Sequence, residues 1–225
     1  MNYRFDFGPI WDARDLIGSG LLMTVAVSLV SLAFSVAIGF VVGTFSASGS
    51  RPARIVAGFF VETMRNIPLL IHMYIWYMAL AFLRLPAFAC AVLGLSLYSG
   101  AYVAEVVRAG IGSVRRGQMQ AALATGLTRV QAFRYVIYPQ ALRIISPSLA
   151  SLFSQLIKDS SLASVIAVAE LTYEAGAIDG QTFRTFEVYI TISVLYLILV
   201  TIASQAVMLM PGARNETASS RFADA

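Results

Sequence analysis

Residues 21–45 read LLMTVAVSLVSLAFSVAIGFVVGTF, and no charged side chain occurs between residues 16 and 50. A helix needs about 20 apolar residues to cross the hydrocarbon of a bilayer, so this stretch predicts a spanning helix. The apolar residues run on without the alternation of a barrel strand, and a helix satisfies its own backbone polar groups in lipid. An all-α integral membrane protein is therefore expected. The whole chain agrees with this: 58% of its 225 residues are hydrophobic and 12% are charged, against about 25% charged in a soluble domain.

Gaps in the charge pattern mark five spans, at residues 21–45, 66–83, 85–104, 144–168 and 188–210. The second reaches spanning length if residues 55–62 form its first turns. The fourth carries Lys158 and Asp159. Basic residues set the orientation, because cytoplasmic segments are enriched in them. With the N-terminus outside, ten arginines fall on inner segments, from Arg51 to Arg221, and four on outer ones (Arg4, Arg14, Arg84, Arg184). The N-terminus is thus expected to be periplasmic and the C-terminus cytoplasmic. The same distribution explains the net charge of +4 without nucleic acid. The acidic first fifteen residues and the lack of a small-residue cleavage site make the first span an uncleaved anchor. Residues 1–210 form one transmembrane domain, and the polar tail at 211–225 reads as disordered. One histidine and one cysteine exclude an internal disulfide and a four-ligand zinc site.

Within the first span, Ser31, Ser35, Gly39 and Gly43 recur at four-residue spacing. Such a stripe permits close helix packing, within the chain or against a second copy. Pro68 is expected to break the second span. An acidic outer loop is expected over residues 170–187, and a long inner loop over residues 112–143.

The inner loop is patterned rather than slack. Over residues 117–141 it reads GQMQAALATGLTRVQAFRYVIYPQA. A short helix over residues 118–125 places Met119, Ala122, Leu123 and Gly126 on one face, with Gly126 as a left-handed C-cap. Thr128 and Gln131 fit a capping box, which starts a second helix at Arg129 with Val130, Phe133 and Ile137 on one side. Pro139 is expected to end it. The apolar face either packs on the protein's own spans or docks in the groove of a soluble partner.

Gln120-Ala121-Ala122, Gly126 and Val136-Ile137-Tyr138-Pro139 resemble the EAA loop of ABC-importer permeases. That pattern is Glu-Ala-Ala, three residues, Gly, nine residues, then Ile-x-Leu-Pro. Gln120 stands in place of Glu, Val136 of Ile and Tyr138 of Leu, and the spacing is kept. VETMRNIPLL (61–70), SGAYVAEVVRAGI (99–111), RRGQMQAALATGL (115–127) and IKDSSLASVIAVAELT (157–172) are similar to the polar amino-acid permease family, which handles histidine, glutamate, glutamine, arginine and opines. The resemblance covers residues 15–210. It implies a type I ABC importer fold of five spans in a bacterial inner membrane. It also implies pairing with a second permease chain, identical or paralogous, and a periplasmic amino-acid binding protein. The loop, including Gln118, Gln120, Ala121, Ala122, Leu123, Gly126, Thr128, Arg129, Phe133 and Pro139, would dock on a dimer of cytoplasmic ATPases.

A Walker A loop needs Gly-Lys followed by Ser or Thr, and the only lysine, Lys158, lies between Ile157 and Asp159. ATP and Mg²⁺ therefore belong to a partner, and no cofactor or catalytic residue is expected here. Polar groups inside spans are costly and point to function. Glu62 with Arg65, and Glu105 with Arg108, are spaced to pair on a helix face as gating or structural pairs, or to couple transport directly. A zwitterion needs an acceptor for its ammonium and donors for its carboxylate. Asp159 and Ser160, with Lys158 and Ser161 beside them, either supply part of these or form a buried network. His72 either lines a path opened by Pro68 or is a satisfied core histidine. Tyr98 and Tyr102, like Tyr74, Trp76 and Tyr77, either line a cavity or pack. Two rivals remain: an ATP-independent amino-acid channel or carrier, and a membrane anchor that recruits an ATPase.

Overall fold

The computed structural model describes residues 3–47 and 50–208, and all regular structure among them is helical. Helix α1 covers Gly8–Asp12, α2 Arg14–Ala47, α3 Arg51–Asn66, α4 Leu69–Ala79 and α5 Ala87–Ser113. Two short helices follow, α6 (Arg116–Ala124) and α7 (Arg129–Ala132), and then α8 (Tyr138–Asp159), α9 (Leu171–Thr182) and α10 (Thr185–Met208). The tail at 211–225 lies outside the described residues. Three helices, α2, α5 and α10, are long and apolar enough to cross a membrane, and the bent run through α8 and α9 makes a fourth candidate.

The framework is the α2–α5 pair, the most extensive helix packing in the chain. Ser31, Ser35, Gly39 and Gly43 are all buried, and α5 is what covers them. A Cβ on Gly39 would sit 2.3 Å from Val103 Cγ1, and one on Gly43 would sit 2.6 Å from the Ala104 carbonyl oxygen. Here the backbones approach so closely that only hydrogen fits. The small-residue stripe is thus an intramolecular face. Helix α2 begins at Arg14, so residues 14–20, expected to precede the first span, are its opening turns.

Pro68 does break the second span. Ile67 is extended (φ −95°, ψ 128°) between α3 and α4, as a residue before proline prefers. Helix α4 has 11 residues, about 17 Å of rise, so it cannot cross alone. The break leaves the Met64 carbonyl without the N–H that residue 68 would have donated. His72 fills that place: its Nε2 lies 3.1 Å from the Met64 carbonyl oxygen, and the side chain is 2% exposed. A carbonyl only accepts, so Nε2 carries the proton.

Pro139, expected to end the second loop helix, does not. Helix α7 continues through a π-helical turn, Phe133–Ile137, directly into α8, with Pro139 in the first turn of α8. A proline ring clashes with the carbonyl four residues back. The wider turn just before it opens that spacing, and Tyr138 N–H donates to the carbonyl of Phe133, five residues back. The widened turn also breaks the helical period: Ala132 (0% exposed) and Ile137 are buried, while Val130, expected on one side with Phe133 and Ile137, is 77% exposed.

Residues 170–187 are not an acidic loop. Helix α8 passes into a 3₁₀ segment, Ser160–Ile166, and a left-handed Ala167 (φ 61°), after which α9 runs at 52° to the preceding axis. Glu170 is fully buried as the N-cap of α9, where its Oε1 accepts from Tyr173 N–H at 2.8 Å. Its Oε2 accepts from the Tyr196 hydroxyl at 2.7 Å. Thr24 on α2 accepts from Leu171 N–H at 3.0 Å, so three helices meet at one capping site. Glu187 is also fully buried. It accepts from the Tyr3 hydroxyl and, at 2.9 Å, from Asp6 N–H, which straps the N-terminal segment to α10.

Three expectations follow for thermal unfolding of the purified chain in detergent. Gly43→Ala forces a methyl against the Ala104 carbonyl and should destabilise by about 1–3 kcal/mol. Gly58→Ala, with open space around the added Cβ, should be neutral or slightly stabilising. His72→Leu keeps the packing volume but strands the Met64 carbonyl, and should cost about 1–3 kcal/mol.

Candidate functional site

A pocket of about 190 Å³ opens between α5 and α8, lined by Tyr98, Ser99, Tyr102, Leu152, Gln155 and Asp159. The periodicity of the two helices builds it. Tyr98 and Tyr102 are one turn apart near the middle of α5, and their hydroxyls lie 3.3 Å apart. Gln155 and Asp159 are one turn apart on α8, and the Gln155 amide donates to Asp159 Oδ1 at 2.8 Å. The second Asp159 oxygen has no hydrogen bond from the described residues. Volumes of 300 Å³ and more suit drug-sized ligands, so this pocket suits a small polar solute. Its lining includes one carboxylate, an amide, a serine and two tyrosines as polar residues.

Behind the pocket stands a chain of aromatic contacts. The Arg65 guanidinium sits over the Tyr102 ring, 4.9 Å from its centroid. Tyr98 and Tyr102 are 5.1 Å apart by centroid, and His72 meets Tyr98 edge-on at 5.8 Å. His72 thus supports the wall and does not open into the pocket, because its ring nitrogen is held by Met64. The break at Pro68 leaves that carbonyl occupied, so it does not line a path.

Other candidates are placed elsewhere. Lys158 is exposed and does not line the pocket. The Ser160 hydroxyl donates to the Ile157 carbonyl at 2.7 Å and that of Ser161 to the Lys158 carbonyl at 2.7 Å, so both turn back on their own helix. Tyr74, Trp76 and Tyr77 also lie outside the lining. Glu62 and Arg65 do not pair: both are exposed, and Arg65 takes the Tyr102 ring instead. Glu105 and Arg108 do pair, through two hydrogen bonds at 3.0 and 2.5 Å. Ser99, Leu152 and Gln155 are lining residues that were not anticipated. The spacing Gln155-x-x-x-Asp159 was visible, but only the facing helix shows that it points at Tyr98 and Tyr102.

The turn between the two loop helices is capped as predicted. Helix α6 closes with Gly126 at φ 88°. Leu127 N–H donates to the Ala122 carbonyl at 3.2 Å and Gly126 N–H to that of Leu123 at 3.0 Å, the paired bonds of a Schellman cap. Thr128 then caps α7: its hydroxyl accepts from Gln131 N–H at 3.3 Å, and Gln131 Oε1 accepts from Thr128 N–H at 2.8 Å. Gln140 on α8 reaches Gln118 Oε1 at 3.5 Å. The apolar side is split between two uses. Ala122 is buried, and Met119, Phe133 and Ile137 pack with Val107, Ile111 and Ile145. Leu123, Val130 and Tyr135 remain exposed, as do Gln118, Gln120, Ala121 and Arg129.

Comparison with known proteins places this arrangement. Residues 36–210 match the family described as binding-protein-dependent transport system inner membrane component. The chain is 38% identical to the glutamine transport system permease protein of Escherichia coli K12 over 205 residues, covering 89% of this chain and 94% of that protein. It is 36% identical to a probable glutamine ABC transporter permease protein of Bacillus subtilis over 192 residues, 84% of this chain and 89% of that protein. The crystal structure of an amino acid ABC transporter with histidines superposes with a TM-score of 0.82 at 36% identity, over 92% of this chain and 98% of that one. A match across most of the chain in sequence and fold makes this protein a member of the binding-protein-dependent transport system inner membrane component family.

Proposed function

We propose that this chain is the permease subunit of an importer that moves polar amino acids across the bacterial inner membrane. One observation carries the reading. From Arg129 to Asp159 the chain is helical without a break, about 45 Å of rod. One end is the capped loop with its exposed Leu123, Val130 and Tyr135, and the other end is Asp159 in the pocket. A force on the loop therefore moves the pocket wall.

The roles follow from the chemistry. The Asp159 carboxylate receives the substrate ammonium, and Gln155 with the Tyr98 and Tyr102 hydroxyls holds polar groups around it. The exposed loop residues dock on a cytoplasmic ATPase, which binds ATP and Mg²⁺ and supplies the hydrolysis. A periplasmic binding protein delivers the amino acid, and a second permease chain completes the path. In this reading the five crossings are α2, the α3–α4 pair, α5, the bent α8–α9 run and α10, with the N-terminus periplasmic. The Escherichia coli relative is named a glutamine transport system permease and the Bacillus subtilis one a probable glutamine permease, which makes a zwitterion with a polar side chain the first substrate to test. An ATP-independent carrier would need neither a loop with a doubly capped turn nor an exposed apolar edge on it.

Two measurements test this reading, using proteoliposomes that contain the permease, its ATPase and the binding protein. Asp159→Asn removes a charge-assisted contact and should lower glutamine uptake by roughly 10- to 100-fold, with the ATPase still bound. Uptake unchanged by this substitution would remove Asp159 from the path. Val130→Asp alters an exposed position, and Gly126→Pro removes a cap N–H and the left-handed turn. Both should abolish co-purification with the ATPase while the spans stay folded. Ala122 is buried, so Ala122→Arg should instead unfold the loop. Intact assembly with Val130→Asp and Gly126→Pro would overturn the docking role.

A further inference from the structure

At the end of α5 that leads into the loop lies a second groove, of about 400 Å³, outside the pocket described above. Arg54, Arg108, Arg115 and Arg116 are among its lining residues. Arg108 is held by Glu105. Among the described residues, Arg54, Arg115 and Arg116 have no carboxylate partner. No acidic residue lines the groove, and it has an apolar portion made by Ile111, Val114, Met119, Phe133 and Ile137. We propose that this groove binds the phosphate of an anionic phospholipid, with the apolar portion taking the start of the acyl chains.

Three observations carry the proposal. Unpaired guanidinium groups on one concave surface repel one another until an anion enters. Guanidinium is the side chain best matched to a phosphate oxyanion, through paired N–H donors. The second observation is the start of α6. Its N-cap, Arg115, offers no side-chain acceptor; Gln118 N–H donates to the Arg115 carbonyl at 2.9 Å, which leaves the N–H groups of Arg116 and Gly117 for an anion beside the same arginines. The third is position. The groove is bounded by Ser46 and Ala47, at the end of the long apolar α2, and by Ile111 and Gly112, at the end of α5. It therefore sits where spanning helices leave the hydrocarbon, at headgroup level. A soluble phosphate would gain nothing from the apolar portion, whereas a lipid uses it and the arginines at once. The occupant would bridge α3, α5 and α6, and so hold the loop against the framework.

The test uses the full chain in nanodiscs of phosphatidylcholine with or without phosphatidylglycerol. Phosphatidylglycerol that remains bound after detergent extraction is then counted by native mass spectrometry. Wild type should retain phosphatidylglycerol in preference to phosphatidylcholine. Arg54→Gln/Arg115→Gln/Arg116→Gln should retain at least about tenfold less. Arg4→Gln/Arg14→Gln, which removes charge elsewhere, should retain as much as wild type. Circular dichroism on each variant identifies any loss of fold, and a folded triple variant that keeps wild-type retention overturns the proposal. Inorganic phosphate that displaces the bound lipid stoichiometrically would assign the groove to a free anion and overturn the lipid. Loss of ATPase binding in the triple variant, with lipid retention unchanged, would make the groove a protein contact and overturn the proposal as well.

Discussion

The close approach of α2 and α5 is the constraint on which the rest of the structure depends. Gly39 and Gly43 leave no room for a methyl group against Val103 and Ala104, so the two backbones nearly touch. Hydrophobic burial does little to join helices in lipid, where tails are as apolar as leucine. Close packing must do it, and only small residues allow that. Once α5 is fixed against α2, its opposite side presents Tyr98 and Tyr102 to α8, and the pocket becomes possible. The same α5 carries Val107 and Ile111 to the base of the loop.

The breaks in the helices are repaired one by one, as hydrocarbon demands, because an unpaired backbone group there costs several kcal/mol. His72 replaces the donor that Pro68 lacks. The π turn makes room for Pro139 and keeps α7 and α8 a single rod. Glu170 caps α9, and Thr24 accepts from Leu171 beside it. Each repair uses a residue that looks, in isolation, like a functional candidate or a surface charge. His72 and Glu170 are buried because a broken helix needs them. The irregular points therefore keep hydrogen-bonded partners, and the chain stays helical from Arg129 to Asp159.

Local signals were legible where a few neighbouring residues decide the outcome. Gly126 as a left-handed cap, Thr128 with Gln131 as a capping box, the break at Pro68 and the pairing of Glu105 with Arg108 all came from spacing alone. Errors arose where a distant partner decides. Residues 170–187 looked like a loop because Glu170, Glu174, Asp179 and Glu187 are charged, yet Tyr196, Tyr3 and backbone N–H groups bury two of them. An ideal helical period places Val130 on one side with Phe133 and Ile137, but the π turn breaks that period and Val130 is exposed. Glu62 and Arg65 had pairing distance in sequence, but Tyr102 offered Arg65 a closer surface.

By itself, the sequence determined that the chain is a helical membrane protein with a structured polar loop and no Walker A motif of its own. These follow from composition, from periodicity and from caps that act within one turn, and they hold whatever the helices pack against. Only the tertiary structure decided that the small-residue stripe of α2 faces α5, and that Gln155 and Asp159 look at Tyr98 and Tyr102. It also decided that His72 serves a backbone carbonyl and that four arginines share one groove. Each of these depends on which face meets which neighbour. For the stripe and the pocket, packing between helices far apart in sequence sets that face, and no local rule encodes it; His72 reaches only across the break at Pro68, but which way its ring turns is set by the helices around it.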